Sequence, residues 1–314
     1  MMQRKLPCEA ATSEHGFVIV AVLWIIAALS ALAMIFAVYL SNSAQALAVN
    51  DAGLQTEALV SASIELTAYQ LLLAGDSARP LDGSFHYRLN NANIAVSFVS
   101  EAARIDLNLA PKELLANLFS GLGADQESAT QYADRIIGWR TPPKADSAQD
   151  EVSLYRAAGL AYSPRQAPFA HVNELALVIG LPPALVDRAL PFVTVFSGLP
   201  EVNVLVAQPE VIAALPGMTP SGLKEFMSER PMLPRDMAAV ATALGPAQAN
   251  ATIDKSDSFR VLTTVKFDNG RQTSSEVVIG LGGKENPYRV LSWQDDVETA
   301  SSRPRKLADD GDDL

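Results

Sequence analysis

FVIVAVLWIIAALSALAMIFAVYL, residues 17–40, is apolar throughout apart from Ser30 and the amphipathic Tyr39. No Asp, Glu, Lys, Arg or His occurs between residues 17 and 50. Wound as a helix, 24 residues reach about 36 Å at about 1.5 Å per residue, more than a hydrocarbon core of about 30 Å. The stretch therefore reads as a membrane span. A secretory h-region is shorter, about 7 to 15 residues, and ends in small residues at a cleavage site. This one runs on into further helical pattern. Arg4 and Lys5 ahead of it favour a cytoplasmic N-terminus, a bias that Glu9 and Glu14 dilute.

Beyond the span, Leu47, Leu54, Ala58, Ala62, Leu66, Tyr69 and Leu73 recur at spacings of three, four or seven. That spacing predicts one apolar stripe on a helix that leaves the bilayer and packs on a folded body. Gly53 is a weak point in this helix, and Gly75 is a natural C-cap, so the helix is predicted to end near residues 74–76. Residues 84–88 and 94–100 alternate apolar and polar side chains across an Asn-rich link and read as a hairpin. Residues 111–196 then change to helical periodicity punctuated by Pro and Gly. Strand patterns return at 201–207, 258–267, 271–281 and 288–293, with Asp268-Asn269-Gly270 joining the second and third. The segment 301–314 has no apolar periodicity and reads as a disordered tail.

A weak internal repeat aligns IDLNLAPKELL (105–115) with VNVLVAQPEVI (202–212). Each copy is predicted as a short strand with an Asx turn feeding a helix opened by Pro and Glu. Each then reaches a Gly turn, at 121–123 and 216–218, as in helix-hairpin-helix packing used twice. Chemistry is sparse by comparison. His15, His86 and His171 are isolated, the one thiol is Cys8, and HExxH, Walker A and GxSxG patterns are absent, so the sequence argues against an enzyme. With 24 Lys and Arg against 35 Asp and Glu, net −11, the body repels phosphate backbones.

Gly16-Phe17, set directly before the uncharged span, resembles the prepilin peptidase site of type IV pilins and pseudopilins, where the chain is cut after Gly and the new N-terminal Phe is methylated. IDLNLAPKELL, YADRIIGWR (132–140), YSPRQAPFAHVNELALVIG (162–180) and VNVLVAQPEVI, in that order, resemble the K-type minor pseudopilins of type II secretion systems. Most members of the wider family carry Glu at the fifth mature position, here Ala21, and lack of that Glu is the hallmark of the K type, thought to sit at the filament tip. The leader departs from the family pattern, because Glu14-His15-Gly16 lacks the usual Arg or Lys before the cut.

The resemblance implies an α+β pseudopilin fold with a long N-terminal transmembrane helix, an antiparallel sheet and a large inserted, mostly helical domain. Its expected divisions are leader 1–16, helix 17–75, first strands 76–104, inserted α-domain 105–200, helix-hairpin and strand meander 201–295, and tail 296–314. It implies an inner-membrane, single-pass protein with its body in the periplasm. Implied partners are other minor pseudopilins, the major pseudopilin shaft, prepilin peptidase and the inner-membrane secretion platform. Relatives bind calcium in the inserted domain through clustered acids; here Asp146, Asp150 and Glu151 lie in the Pro-containing link between Trp139 and Tyr155 without EF-hand spacing, and a solvated acidic loop is the favoured reading over a metal site. The turn at 121–123 also resembles helix-hairpin-helix modules of membrane-tethered DNA uptake receptors. Ala124, Asp125, Gln126 and Glu127 follow it, and the second copy offers only Lys224, so nucleic acid is not expected as a partner.

Overall fold

The computed structural model describes residues 15–142, 151–283, 286–295 and 297. The predicted leader up to residue 14, the tail from 298, and Asp146 and Asp150 lie outside the described residues. The chain divides into two compact units, Met1–Ala58 and Leu59–Leu314.

The first unit is described as helix α1 (His15–Leu73) up to its border. Within it Val18–Ser43 has a mean hydropathy of 2.8 and none of it is buried. Trp24, Met34 and Ile35 are 73%, 71% and 67% exposed. An isolated helix with apolar side chains all round has a stable environment only in lipid or against other helices.

In the second unit the C-terminal part of α1 lies on a five-stranded antiparallel sheet. Gly75, at φ +68°, ends the helix where the sequence predicts, and a single turn, α2 (Gly75–Ala78), follows. Arg79 is buried there and ion-pairs Asp76 at 2.5 Å and Asp257 at 3.1 Å. Strands β1 (Asp82–Leu89) and β2 (Ala92–Ser100) form the first hairpin, turning at Asn90 with φ 52°. Strand β2 next pairs with β7 (Ser258–Phe267), far along the chain. Strand β8 (Gln272–Leu281) returns across the Asp268–Gly270 turn, and β9 (Tyr288–Gln294) closes the edge with a register shift at Val278/Ile279. The alternation in β2 and β7 sends Ile94, Val96, Phe98, Phe259, Val261 and Val265 to one face, where Leu59, Val60, Ile64, Ala68 and Leu71 of α1 cover them.

The helix face that packs is not the predicted stripe. Ala62 is half-buried, while Leu66 is 42% exposed, Tyr69 63% and Leu73 73%. The buried face carries Ser63 and Thr67 among its apolar residues. Their hydroxyls return to the carbonyls of Leu59 and Ser63 at 2.9 and 2.8 Å, and Tyr87 Oη meets Ser63 Oγ at 2.9 Å. Back-bonded hydroxyls enter a core at little cost, which a reading that sorts polar from apolar cannot see.

Between β2 and β7 lies a helical module. Its order is β3 (Ile105–Asp106), α3 (Lys112–Gly121), α4 (Gln126–Arg140), α5 (Glu151–Ala157), α6 (Pro183–Ala189) and β4 (Val193–Thr194), then β5 (Val202–Asn203), α7 (Pro209–Ala213), α8 (Pro220–Glu229), α9 (Met237–Leu244) and β6 (Ala251–Thr252). The strand predicted at 201–207 shrinks to Val202–Asn203, because Asn203 turns the chain and residues 204–207 form that turn. One apolar core runs from Ile105 to Ala251, so the border expected at 200/201 falls inside a continuous core.

Candidate functional site

Three features of the described residues are candidates for function, the longest of them an apolar, uncharged stretch of α1 at residues 18–43. The first is the span itself. Ala21 sits half-exposed in α1 among apolar neighbours, and backbone helix runs through Gly16 and Phe17. The second is the outward face of α1 in the folded body, where Leu66, Tyr69 and Leu73 present apolar area to solvent.

The third feature is where the module meets the sheet. A short 3-10 turn at Glu101–Ala103, capped by Ser100 Oγ, carries Glu101 into full burial. Arg260 of β7 grips its carboxylate with Nε at 2.8 Å and Nη2 at 3.1 Å, Arg104 approaches at 3.4 Å, and Thr194 Oγ1 of β4 donates as well. Burial alone would raise the Glu101 pKa, but the Arg260 and Arg104 guanidiniums hold it below the usual carboxylate range. Burial lowers Arg104 to about 10, helped by neighbouring Arg260. Burial also opposes the charge on Arg260, yet Glu101 and Glu276 hold its pKa above the ordinary value.

The module's interior shows how the sequence repeat folds. In the first copy Asp106 Oδ1 accepts from Asn108 N at 2.8 Å, and its carbonyl accepts from Leu109 and Ala110. In the second, Asn203 Oδ1 accepts from Leu205 N at 3.1 Å and its carbonyl from Val206 and Ala207. Strands β3 and β5 each pair in parallel with the closing strand of their copy, β4 and β6. An arginine at the end of the post-hairpin helix clamps each turn. Arg140 donates to the carbonyls of Leu107 and Ala110 at 2.5 and 2.8 Å, and Arg230 to those of Val204 and Ala207 at 3.5 and 2.6 Å. Sequence reading missed both arginines, which lie far along the chain from the turns they hold. The shared signal is an Arg closing the helix that follows each hairpin.

The hairpin after α3 uses its own N–H groups. Those of Leu122, Gly123 and Ala124 donate to the carbonyls of Leu118, Ser120 and Phe119, and Asp125 Oδ1 caps α4 through Ser128 N. Such donors terminate a helix and are not turned toward a phosphate. Of the candidate metal residues, Glu151 opens α5 and takes Arg135 Nη1 on Oε2 at 2.8 Å. Among the described residues no three of His, Cys, Asp and Glu gather as a metal-ligand set.

The comparisons with known proteins agree with this architecture. The family model of type II secretion system protein K matches residues 88–198. The type II secretion system protein K of Klebsiella pneumoniae is 30% identical over 117 residues, covering 36% of this chain; the chain spans 35% of that relative's length. A chain in the crystal structure of the GspK–GspI–GspJ complex of the enterotoxigenic Escherichia coli type 2 secretion system superposes with a TM-score of 0.54 at 16% identity, over 78% of this chain and 96% of that one. An apolar N-terminal helix continued onto an antiparallel sheet with inserted helices is the fold shared with that neighbour, and the family match points to the minor pseudopilins of type II secretion systems. Over residues 88–198 the chain resembles the protein K family of these systems.

Proposed function

We propose that this protein caps the tip of a periplasmic pseudopilus and supports type II protein secretion by assembly, with no catalytic step. Prepilin peptidase cuts between Gly16 and Phe17, and Phe17 becomes N-methylated. The span then holds the protein in the inner membrane, N-terminus cytoplasmic and body periplasmic, until the secretion platform extracts it. The observation that carries this reading is the uncharged span, none of it buried, with Ala21 at the position where most of the family carries Glu. A carboxylate in such a span costs on the order of 3 kcal/mol and is kept only where a partner meets it. In the shaft that partner is the N-terminal amine of the subunit above, so a terminal subunit has no use for the acid. The GspK–GspI–GspJ complex that holds the Escherichia coli neighbour supports other minor pseudopilins as partners, and on this reading they sit above a shaft of major pseudopilin. The outward face at Leu66, Tyr69 and Leu73 is suited to their helices.

No metal is assigned to Asp146, Asp150 and Glu151 on this reading; saturable calcium uptake by the purified protein, lost with Asp146→Asn, would restore the metal reading. Removing residues 17–40 is expected to abolish membrane retention and secretion together. Secretion that persists in the truncated strain would contradict the proposal.

A further inference from the structure

The helical module and the sheet each have their own apolar core, and the two cores share no residue. What joins them at Glu101 is a cluster of ions. Glu101 lies in the linker from β2 into the module, Arg260 and Glu276 on the sheet, Thr194 on the module's strand β4, and Arg104 reaches from the linker to Pro191 O at 3.0 Å. The carboxylate of Glu101 is fully buried, and the side chains of Arg104 and Arg260 keep only 12% and 13% of their exposure. Beside them opens a cleft of about 440 Å³, lined among others by Asp82, Ser84, Val206 and Leu262. A second, looser tie joins His171 Nε2 to Ser292 Oγ of β9 at 3.5 Å.

We propose that the Glu101 cluster is an orientation latch, which fixes the helical module at one angle on the sheet and, when broken, lets it swing into the adjoining cleft. The argument is one of geometry. Apolar contacts are non-directional, whereas a desolvated carboxylate held by two guanidinium nitrogens and a hydroxyl is satisfied in only one placement of the groups that hold it. Buried ion clusters add little net stability over apolar residues of similar volume, so their value here lies in specifying arrangement. The latch does not depend on the proposed secretion role.

The test uses the full chain in detergent with Cys8→Ser, spin-labelled at Asn93→Cys on β2 and Glu210→Cys on α7, both exposed positions. With the cluster intact, pulsed EPR is expected to give one narrow distance distribution. Glu101→Gln is expected at least to double its width. Because that variant takes the Glu101 anion from Arg104 and leaves Arg260 only Glu276, the variant Glu101→Met/Arg104→Met/Arg260→Met is measured beside it. It is expected to keep the unfolding midpoint while the distribution widens. A narrow distribution in the apolar variant would overturn the latch, and so would loss of its folded module, since the ions would then serve stability alone.

Discussion

The two copies inside the helical module, 105–194 and 202–252, share a hydrogen-bond plan and differ in almost everything else. Both set an Asx turn after a two-residue strand, both clamp that turn with an arginine, and both close with a parallel strand ending in Thr194 or Thr252, whose hydroxyls accept from Phe196 N and Asp254 N. The first copy alone adds α5 and an aromatic group in which the rings of Tyr155 and Phe169 each lie about 6 Å from Trp139. The difference teaches that the turn-and-clamp is the part the fold requires, and the added helix is the part free to vary.

The clamps offer the largest test. Arg140→Ala leaves the carbonyls of Leu107 and Ala110 without their charged donor, and a loss of about 3 kcal/mol is expected from two charge-assisted bonds. Arg230→Ala, with one of its two bonds at 3.5 Å, is expected to cost about 2 kcal/mol. Chemical unfolding, with hydrogen exchange at Ala110 and Ala207 to report each copy, reads both. Equal losses, or exchange that spreads evenly over both copies, would deny that each clamp serves its own turn.

The Asx residues come next, because they are not interchangeable. Asp106 Oδ2 accepts from Ser197 Oγ and Gly198 N, whereas Asn203 Nδ2 donates to the carbonyl of Asp254 at 2.8 Å. Asn203→Asp turns that donor into a second acceptor and is expected to cost about 2 kcal/mol; Asp106→Asn faces Gly198 N with an amide and is expected to cost about 1 kcal/mol. Burial raises the Asp106 pKa despite its hydrogen bonds. Its ionised form is therefore penalised in the fold above the raised value, and the penalty lifts as pH falls through the folded and then the ordinary carboxylate range. Denaturation profiles from pH 7 downward are expected to lose this rise in Asp106→Asn, while Asn203→Gln leaves it in place.

The smallest contrast lies in the hairpins. Gly123 has φ +97° and Gly217 φ +80°, where a side chain is strained. A Cβ on Gly217 would also stand 3.3 Å from the carbonyl oxygen of Pro246, against an arginine tip at 3.5 Å beside Gly123. Gly217→Ala is expected to lower stability by about 1.5 kcal/mol and Gly123→Ala by about 1 kcal/mol, read as shifts of the unfolding midpoint. The reverse order would mean that the backbone angle, not the neighbour, sets the cost.

Local patterns in the chain announced much of this. The span, both hairpins, the helix end at Gly75 and the paired strand-turns at 105 and 202 each rest on neighbouring residues, so period and turn chemistry reveal them. The packed face of α1 was misread because Ser63 and Thr67 are polar in composition yet satisfied within the helix. The Glu101 cluster was not legible, since Arg260 lies 159 residues from Glu101 and no local pattern links them. The arginine clamps failed for the same reason. Among the candidate site residues, Glu151 is held by Arg135, while the roles proposed for Gly16, Phe17 and Ala21, in processing and assembly, lie outside the chain's own contacts.

The proposed cut between Gly16 and Phe17 is the place to test the account most directly, by N-terminal mass analysis of the protein isolated from membranes. The account predicts a chain that begins at Phe17 and carries a methyl group on its amine. An intact Met1, or a start near residues 40 to 50 that leaves no span, would contradict it.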